Sequence, residues 1–483
     1  MDYKYQSDLQ FNDLDNFTSE HKNNDASSIT QNTYKNFNPI FKEISQSQEE
    51  YIDLYNAMGK FYNDIWNNNV PNYFQSFKEL NIHTIIVYQL KQNQAPDYQD
   101  KIIDIVDRLT SDKSSIKYSI DLVEAGIIPV LIELYFNLKN NLKIIDIFSN
   151  IVTKNINLKN QILEKVDYNL IFMQLIQDSV PSEQKIVYRN FLHSILVWDD
   201  FTIEIMQTYL KYSKVLLEQW RKDIKYPTYI FKIVITHFCE FQHVHSDLYL
   251  PFQEYVREIE LPNLIISVLE ENSDFIEDNQ ISPETPYDCQ DNSKSIFIYT
   301  LLNILAIIFE KPVNFNLNLQ LFAVLAKSKY EKIRKEAIFA IGNLFESMPE
   351  TIQQMPLDYF ELLRFYIDRS KSVTKIESLI CCATAICFSN HTTRLYFVHN
   401  NILYNLAESI YCGDNTLLYM IINSIARLIE AISIESGPNA AIEAFFDAVG
   451  DEISEIELKF ADANCVEAIM NLKKVINELK SES

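Results

Sequence analysis

Glycine is almost missing from this sequence. The chain has 483 residues and only 6 glycines, and no two of them lie close enough to form a Gly-x-Gly motif. Phosphate-binding loops, dinucleotide-binding fingerprints and tight hairpin turns need glycine, because its backbone adopts positive φ angles and lets a ligand come close. The scarcity excludes P-loop, Rossmann-type and kinase-like proteins, and it favours helices with short connections.

Positive charge is also scarce. The chain has 42 Lys and Arg against 66 Asp and Glu, which gives a formal net charge of −24. Such a chain repels nucleic acid and anionic membranes and attracts basic partners. Its length exceeds the roughly 250–300 residues at which a single core stops growing. We therefore expect several domains or an elongated repeat array that binds neither nucleic acid nor membranes.

Signals for secretion or membrane insertion are missing as well. The first residues contain no basic segment followed by an apolar stretch, so no signal peptide is expected. No uninterrupted apolar run approaches the ~18 residues of a membrane helix. The 7 cysteines are scattered and odd in number, which is typical of reduced thiols in an intracellular protein. These features predict a soluble protein of the cytoplasm and nucleus.

Residues of catalytic or metal-binding type form a single cluster, which consists of His237, Cys239, His243 and His245, followed by Asp247. No second cluster flanks it at zinc-motif spacing, and Cys239 lies in an apolar helical segment. Core and surface positions explain the cluster better than a metal site, which stays an alternative. We expect no metal, no cofactor and no enzymatic activity.

Helical periodicity dominates most of the chain. Residues 1–45 are polar and are predicted to form a disordered, acidic arm. In residues 46–483 apolar side chains recur about every 3.6 residues, as at Ile333, Ala337 and Ile341. An acidic, proline-containing insertion interrupts the pattern at residues 270–294. It is either a solvated loop or a segment that attracts basic partners over a Debye length of about 8–10 Å.

An internal repeat links three helical segments, each of which places an aromatic residue four positions before an asparagine. The pairs are Tyr299 with Asn303, Phe339 with Asn343, and Tyr419 with Asn423. The asparagines are separated by multiples of 40 residues. One position of this series, residue 383, holds an alanine in place of an asparagine. A period of about 40 residues with only helical patterns predicts an all-α, right-handed solenoid of about nine armadillo or HEAT repeats.

Two segments resemble a known family. Val123–Tyr135, VEAGIIPVLIELY, is similar to the second helix of an armadillo repeat, and Ile333–Ser347, IRKEAIFAIGNLFES, resembles the third helix of importin-alpha repeats. The chain thus resembles a divergent importin-alpha (karyopherin alpha). The resemblance implies an armadillo-type superhelix over residues 46–483. It also implies a nuclear import adaptor that binds basic nuclear localisation signals on its concave face, with importin-beta as a further partner.

The repeated pairs suit an extended basic peptide. Side chains at i and i+4 share one helix face, and stacked repeats line such pairs up along a solenoid. An asparagine amide offers a donor and an acceptor to a peptide backbone, while aromatic rings flank and attract a Lys or Arg side chain. The predicted peptide-binding residues are Tyr299, Asn303, Phe339, Asn343, Tyr419 and Asn423. Alternatively, all six are ordinary helix positions in a chain rich in asparagine and aromatic residues.

The chain departs from importin-alpha in two ways. The aromatic positions hold no tryptophan, and nearer the N-terminus Asp146 stands four residues before Asn150, where an aromatic is expected. The arm lacks the arginine clusters of an importin-beta-binding segment and offers only Tyr34-Lys35-Asn36 and Lys42. These departures favour an alternative function, that of an armadillo-repeat scaffold that joins other proteins and has no role in transport.

Overall fold

The structure, a computed structural model, describes most of the chain. The described residues are 38–47, 51–67, 74–92, 96–111, 116–137, 142–154, 158–177, 179–196, 203–222, 224–225, 227–228, 230–232, 246–278, 280, 291–313, 317–369, 373–410, 415–449 and 463–482. The chain divides into two compact units. The first comprises Met1–Tyr212 and Thr236–Tyr249, and the second comprises Ser213–Ile235 and Leu250–Ser483.

Regular structure in the described residues is helical, apart from one isolated β-bridge between Gln280 and Ser328. From residue 38 to 218 the helices are α1 (Asn38–Gln46), α2 (Tyr51–Asn67), α3 (Phe74–Glu79), α4 (Ile82–Lys91), α5 (Pro96–Thr110), α6 (Ile116–Glu124), α7 (Ile127–Asn137), α8 (Leu142–Lys154), α9 (Lys159–Leu163), α10 (Tyr168–Ile176), α11 (Ser182–Leu196) and α12 (Ile203–Glu218). From residue 246 to 482 they are α13 (Ser246–Glu258), α14 (Leu261–Glu270), α15 (Ser273–Glu277), α16 (Ser293–Phe309), α17 (Leu319–Leu325), α18 (Glu331–Ser347), a 3-10 helix (Pro349–Gln354), α19 (Leu357–Arg369), α20 (Val373–Phe388), α21 (His391–His399), α22 (Ile402–Glu408), α23 (Asn415–Ser436), α24 (Pro438–Ala448) and α25 (Ala463–Glu482). The predicted all-α fold class is confirmed.

In the first unit four helices pack side by side. Helix α2 packs against α5, α5 against α8, and α8 against α11. They begin at residues 51, 96, 142 and 182, so each lies about one repeat after the last. On α5, Ile102, Ile105 and Leu109 are fully buried. Their spacing of three and four residues is that of an amphipathic helix, which explains why this segment turns one face to the core.

Five helices form the corresponding row in the second unit, which we call the ladder. It consists of α16, α18, α20, α23 and α25, each packed against the next. They begin at residues 293, 331, 373, 415 and 463. On α16 every residue from Leu301 to Phe309 is buried, since neighbouring helices cover it on several sides. The period of about 40 residues is therefore the spacing of stacked helices along the chain.

Helix α23 is an apolar helix of 22 residues. Among the described residues it is the one helix long and apolar enough, by length and composition, to cross a membrane. The most apolar 18-residue stretch of this helix is 67% buried inside the fold. The helix packs against α20, α24 and α25. This burial accounts for its apolar sequence as that of a core helix.

A left-handed residue makes the turn that precedes several helices. Gly126, between α6 and α7, has a φ of 84°, which glycine adopts without steric cost. The residues before α4, α14 and α22 are Asn81, Glu260 and Asn401, with φ of 55°, 53° and 59°. Three side chains thus occupy a conformation that favours glycine. Glutamate tolerates it less well than asparagine, so Glu260 is the least suited of them.

The first described helix, α1, begins inside the segment predicted as a disordered arm. Phe41 and Ile44 on α1 are fully buried. The ring centroid of Phe41 lies 5.3 Å from that of Phe61 and 5.7 Å from that of Phe77. These apolar residues give α1 a buried face, which explains why it folds although its surroundings in the sequence are polar. The rest of the predicted arm, residues 1–37, lies outside the described residues.

Both ends of the acidic insertion pack against the segment that begins α18. Near the start of the insertion, the Phe275 ring on α15 stacks on the Tyr330 ring at 5.9 Å between centroids. Near its end, Asp291 Oδ2 lies 3.2 Å from Lys332 Nζ, and Asn292 Nδ2 donates to Tyr330 Oη at 2.8 Å. Residues 281–290 lie outside the described residues. The described ends of the insertion therefore take part in packing.

Candidate peptide-binding site

The ladder carries all three predicted pairs. They are Tyr299 with Asn303 on α16, Phe339 with Asn343 on α18, and Tyr419 with Asn423 on α23. Because α16 packs on α18, α18 on α20, and α20 on α23, the pairs follow one another along a single row. Helix α20 carries no such pair and forms a gap between the second and the third.

The three asparagine amides make hydrogen bonds within the fold. Asn303 Nδ2 donates to the backbone oxygen of Tyr299 at 3.2 Å, and Asn423 Nδ2 donates to that of Tyr419 at 3.0 Å. Asn343 Nδ2 instead donates across the ladder to the backbone oxygen of Ala306 on α16, at 3.0 Å. Each asparagine is thereby fixed in orientation, and Asn343 also joins two helices.

The pairs differ in how much surface they offer. Asn303 is only 2% exposed, and Tyr299 is half-buried. Phe339, Asn343 and Asn423 are half-buried, and Tyr419 is 38% exposed. The accessible part of the site therefore lies on α18 and α23, while the asparagine on α16 is enclosed.

Helix α20 fills the gap with apolar side chains. Ala383, the position without an asparagine in the 40-residue register, is fully buried. Near the start of the helix, Ile376 is 44% exposed. Ile376 could not be found from the sequence, because it lies outside the aromatic–asparagine register and carries no signal beyond its apolar character. Along the ladder, the apolar helix α20 therefore separates the pairs on α16 and α18 from the pair on α23.

Part of the importin-like segment on α18 has a structural role. Arg334 is buried, and its Nη1 donates to the backbone oxygen of Ser328 at 2.9 Å. Its guanidinium lies 5.6 Å from the centroid of the Tyr366 ring on α19, a geometry that permits a cation–π attraction. Arg334 therefore fixes the start of α18 against the rest of the unit.

No protein-family model and no curated protein match this chain. Among solved structures, an engineered protein is 15% identical, with 91% of this chain and 98% of that chain covered and a TM-score of 0.61. A second solved structure comes from work on a conserved phosphorylation switch that controls the interaction between cadherin and beta-catenin. It is 10% identical, with 96% of this chain and 95% of that chain covered and a TM-score of 0.57.

The fold is armadillo-like. Beta-catenin is an armadillo-repeat protein, and a match of this extent at 10% identity shows a shared fold. It does not distinguish importin-alpha from other armadillo-repeat proteins. Stacked helical repeats of this kind typically serve as non-enzymatic scaffolds that bind other proteins on extended surfaces.

In the first unit, two carboxyl groups lie on neighbouring helices of the row, and one of them, Asp146, stands where an aromatic is expected. Asp146 and Asn150 lie half-buried on α8, and Asp107 lies on α5, the preceding helix of the row. Burial raises the pKa of Asp107 to about 7, and the charges of Asp146 and Asp104 add to the rise. Asp107 lies outside the aromatic–asparagine pattern, although its position about one repeat before Asp146 is a signal in the sequence that could have found it.

The described residues contain no group of three or more His, Cys, Asp or Glu side chains that could hold a metal ion. The cluster of His237, Cys239, His243 and His245 lies outside these residues. In the ladder, Cys381 and Cys382 are buried free thiols. Burial raises the pKa of Cys381 to about 12 and the pKa of Cys382 further still, so both thiols stay uncharged.

Proposed function

We propose that this armadillo-like chain binds extended Lys- and Arg-rich peptides on the ladder of its second unit and acts as a nuclear import adaptor of the importin-alpha kind. The observation that carries the proposal is the placement of aromatic–asparagine pairs on α16, α18 and α23, helices of one row. The proposal includes exchange between cytoplasm and nucleus. Its partners are basic cargo peptides and importin-beta.

The accessible pairs supply the chemistry for such a peptide. An asparagine amide has two N–H donors and an oxygen acceptor, and the bonds of Asn343 and Asn423 within the fold each use one donor. A second donor and the oxygen can therefore meet the backbone of a peptide. The exposed ring of Tyr419 offers a face for the stem and charge of a Lys or Arg side chain, worth about 0.5–2 kcal/mol. The net charge of −24 favours a cationic partner.

Peptide binding can be measured by fluorescence anisotropy with a labelled Lys- and Arg-rich peptide. We expect binding that weakens as salt is added, because the attraction is partly electrostatic. The variant Asn303→Ala/Asn343→Ala/Asn423→Ala should bind about 10–100-fold more weakly, since Asn343 and Asn423, the accessible asparagines, each lose a backbone hydrogen bond worth about 1 kcal/mol. Asn150→Ala in the first unit is the matched control and should bind like the unchanged chain. An unaltered affinity in the triple variant would refute the site.

A second candidate function is a scaffold that joins proteins outside transport. Two observations favour it: Asp146 replaces an aromatic in the first unit, and the first 45 residues lack arginine clusters. A pull-down with purified importin-beta distinguishes the two functions. Recovery of importin-beta supports the adaptor, whereas peptide binding without any recovery of importin-beta supports the scaffold.

A further inference from the structure

Two carboxyl groups are enclosed where α18 meets α20. Glu336 on α18 is 2% exposed, and Glu377 on α20 is half-buried with its Oε2 atom enclosed. Among the described residues, neither Glu336 Oε1 nor Glu377 Oε2 has a hydrogen-bond partner. An ionised carboxylate that has left water without gaining partners is costly, so both groups favour the neutral form.

The surroundings reinforce this preference. Burial raises the pKa of Glu336 to about 8; Lys335 opposes the rise, and the charge of Glu377 adds to it. Burial also raises the pKa of Glu377 to about 7, again against Lys335. The thiol of Cys381 is the other titratable group beside Glu377, and it stays neutral.

The other segments packed on these two helices are α16, α17, α19, α21, α23 and the 3-10 helix. Among their described residues, no charged group shifts the pKa of either carboxyl. Lys335 is therefore the single cation that acts on both members of the pair in the part of the chain that the structure describes.

We propose that Glu336 and Glu377 make the packing of α18 on α20 depend on protonation. While both carboxyls are neutral, the two helices pack without a buried carboxylate charge. When both are ionised, two negative charges face one lysine, and Glu336 Oε1 and Glu377 Oε2 have no hydrogen-bond donor among the described residues. This part of the ladder then loosens. The inference does not depend on peptide binding, because it concerns the unliganded chain.

Rising pH weakens the folded state through this pair. Each carboxyl holds its proton more tightly in the folded chain than in an unfolded chain, where its ordinary pKa is 4.5. The contribution of the pair to the free energy of unfolding is therefore largest below pH 4.5. It decreases as the pH rises and stops changing above about pH 8, where both groups are ionised in the folded chain as well.

The test compares the full chain with the variant Glu336→Gln/Glu377→Gln in denaturant unfolding between pH 5.5 and 8.5. Replacing Trp66 and Trp198 by Phe in both proteins leaves Trp220 as the reporter of the second unit, where it stacks on Phe297 at 6.0 Å. The quantity to follow is the unfolding equilibrium constant of the protein with both glutamates divided by that of the double variant. This ratio should rise about tenfold per pH unit for each carboxyl that is still protonated in the folded state. A ratio that stays constant with pH would overturn the proposal.

Two further variants keep the test decisive. Glu346→Gln, an exposed position on the same helix, is the control and should leave the pH profile unchanged. If the double variant does not fold, Lys335→Met serves instead. Loss of the single opposing cation should raise the pKa of both carboxyls in the folded chain, so the decline in stability should continue to higher pH. An unchanged profile would contradict the role of the pair.

Discussion

At the scale of single residues, buried carboxyl groups govern how the chain responds to pH. Asp107 has an Oδ1 atom that is enclosed and has no hydrogen-bond partner among the described residues. Its neighbour Asp104 pairs with Lys143, whereas Asp107 is half-buried and lies near the carboxylates of Asp104 and Asp146. In the folded chain Asp107 therefore keeps its proton up to about neutral pH.

We predict that Asp107→Asn stabilises the first unit. The pKa of Asp107 is raised from 3.8 to about 7, so folding binds a proton, and the free energy of unfolding falls as the pH rises between these values. An amide needs no proton, so the advantage of the variant should grow from pH 4 to pH 7 and reach about 2–4 kcal/mol. Denaturant unfolding followed by circular dichroism measures it. The control is Asp97→Asn, an exposed residue on the same helix, and a loss of stability in Asp107→Asn at pH 8 would contradict the account.

At the scale of helices and turns, the shortage of glycine has a visible cost. The turn before α7 uses Gly126, while the turn before α14 forces Glu260 into the left-handed region. For residues other than glycine this conformation costs about 1–2 kcal/mol. The turns before α7 and α14 thus both use a left-handed residue, although only the first has glycine, the residue suited to it.

Reciprocal substitutions test this cost. Gly126→Ala should lower the free energy of unfolding by about 1 kcal/mol, and the cause is the backbone alone, since a Cβ at Gly126 would meet nothing within 4 Å. Glu260→Gly should raise it by about 0.5–1 kcal/mol, because the relief of strain exceeds the entropy that glycine adds to the unfolded chain. Glu258→Gly at the end of α13 is the control and should destabilise. Equal losses at positions 258 and 260 would disprove the explanation.

The helices and their period could be predicted from the sequence because both are recorded in local patterns. Apolar residues repeat within one helix, and the asparagines repeat from one helix to the next. The enclosure of Asn303 could not be predicted, because it is produced by neighbouring helices packed on α16. The same holds for Glu336 and Glu377, which lie one repeat apart and become a pair only when α18 packs on α20.

At the scale of the whole molecule, two compact units carry rows of different chemistry. In the first unit Asp107 and Asp146 occupy the row, while in the second unit Phe339 and Tyr419 accompany asparagines. Because of this difference we propose the peptide site in the second unit and not in the first. Armadillo-like repeats typically bind other proteins on extended surfaces, and the ladder is the surface that we propose for such binding here.

The most direct test of the central claim locates a bound peptide on the chain. A Lys- and Arg-rich peptide with a photo-reactive group would be cross-linked to the full chain, and the attachment sites would be mapped by mass spectrometry. We predict cross-links on α18 and α23 that disappear with excess unlabelled peptide and in the triple asparagine variant. Cross-links confined to the first unit, or none that unlabelled peptide displaces, would contradict the account.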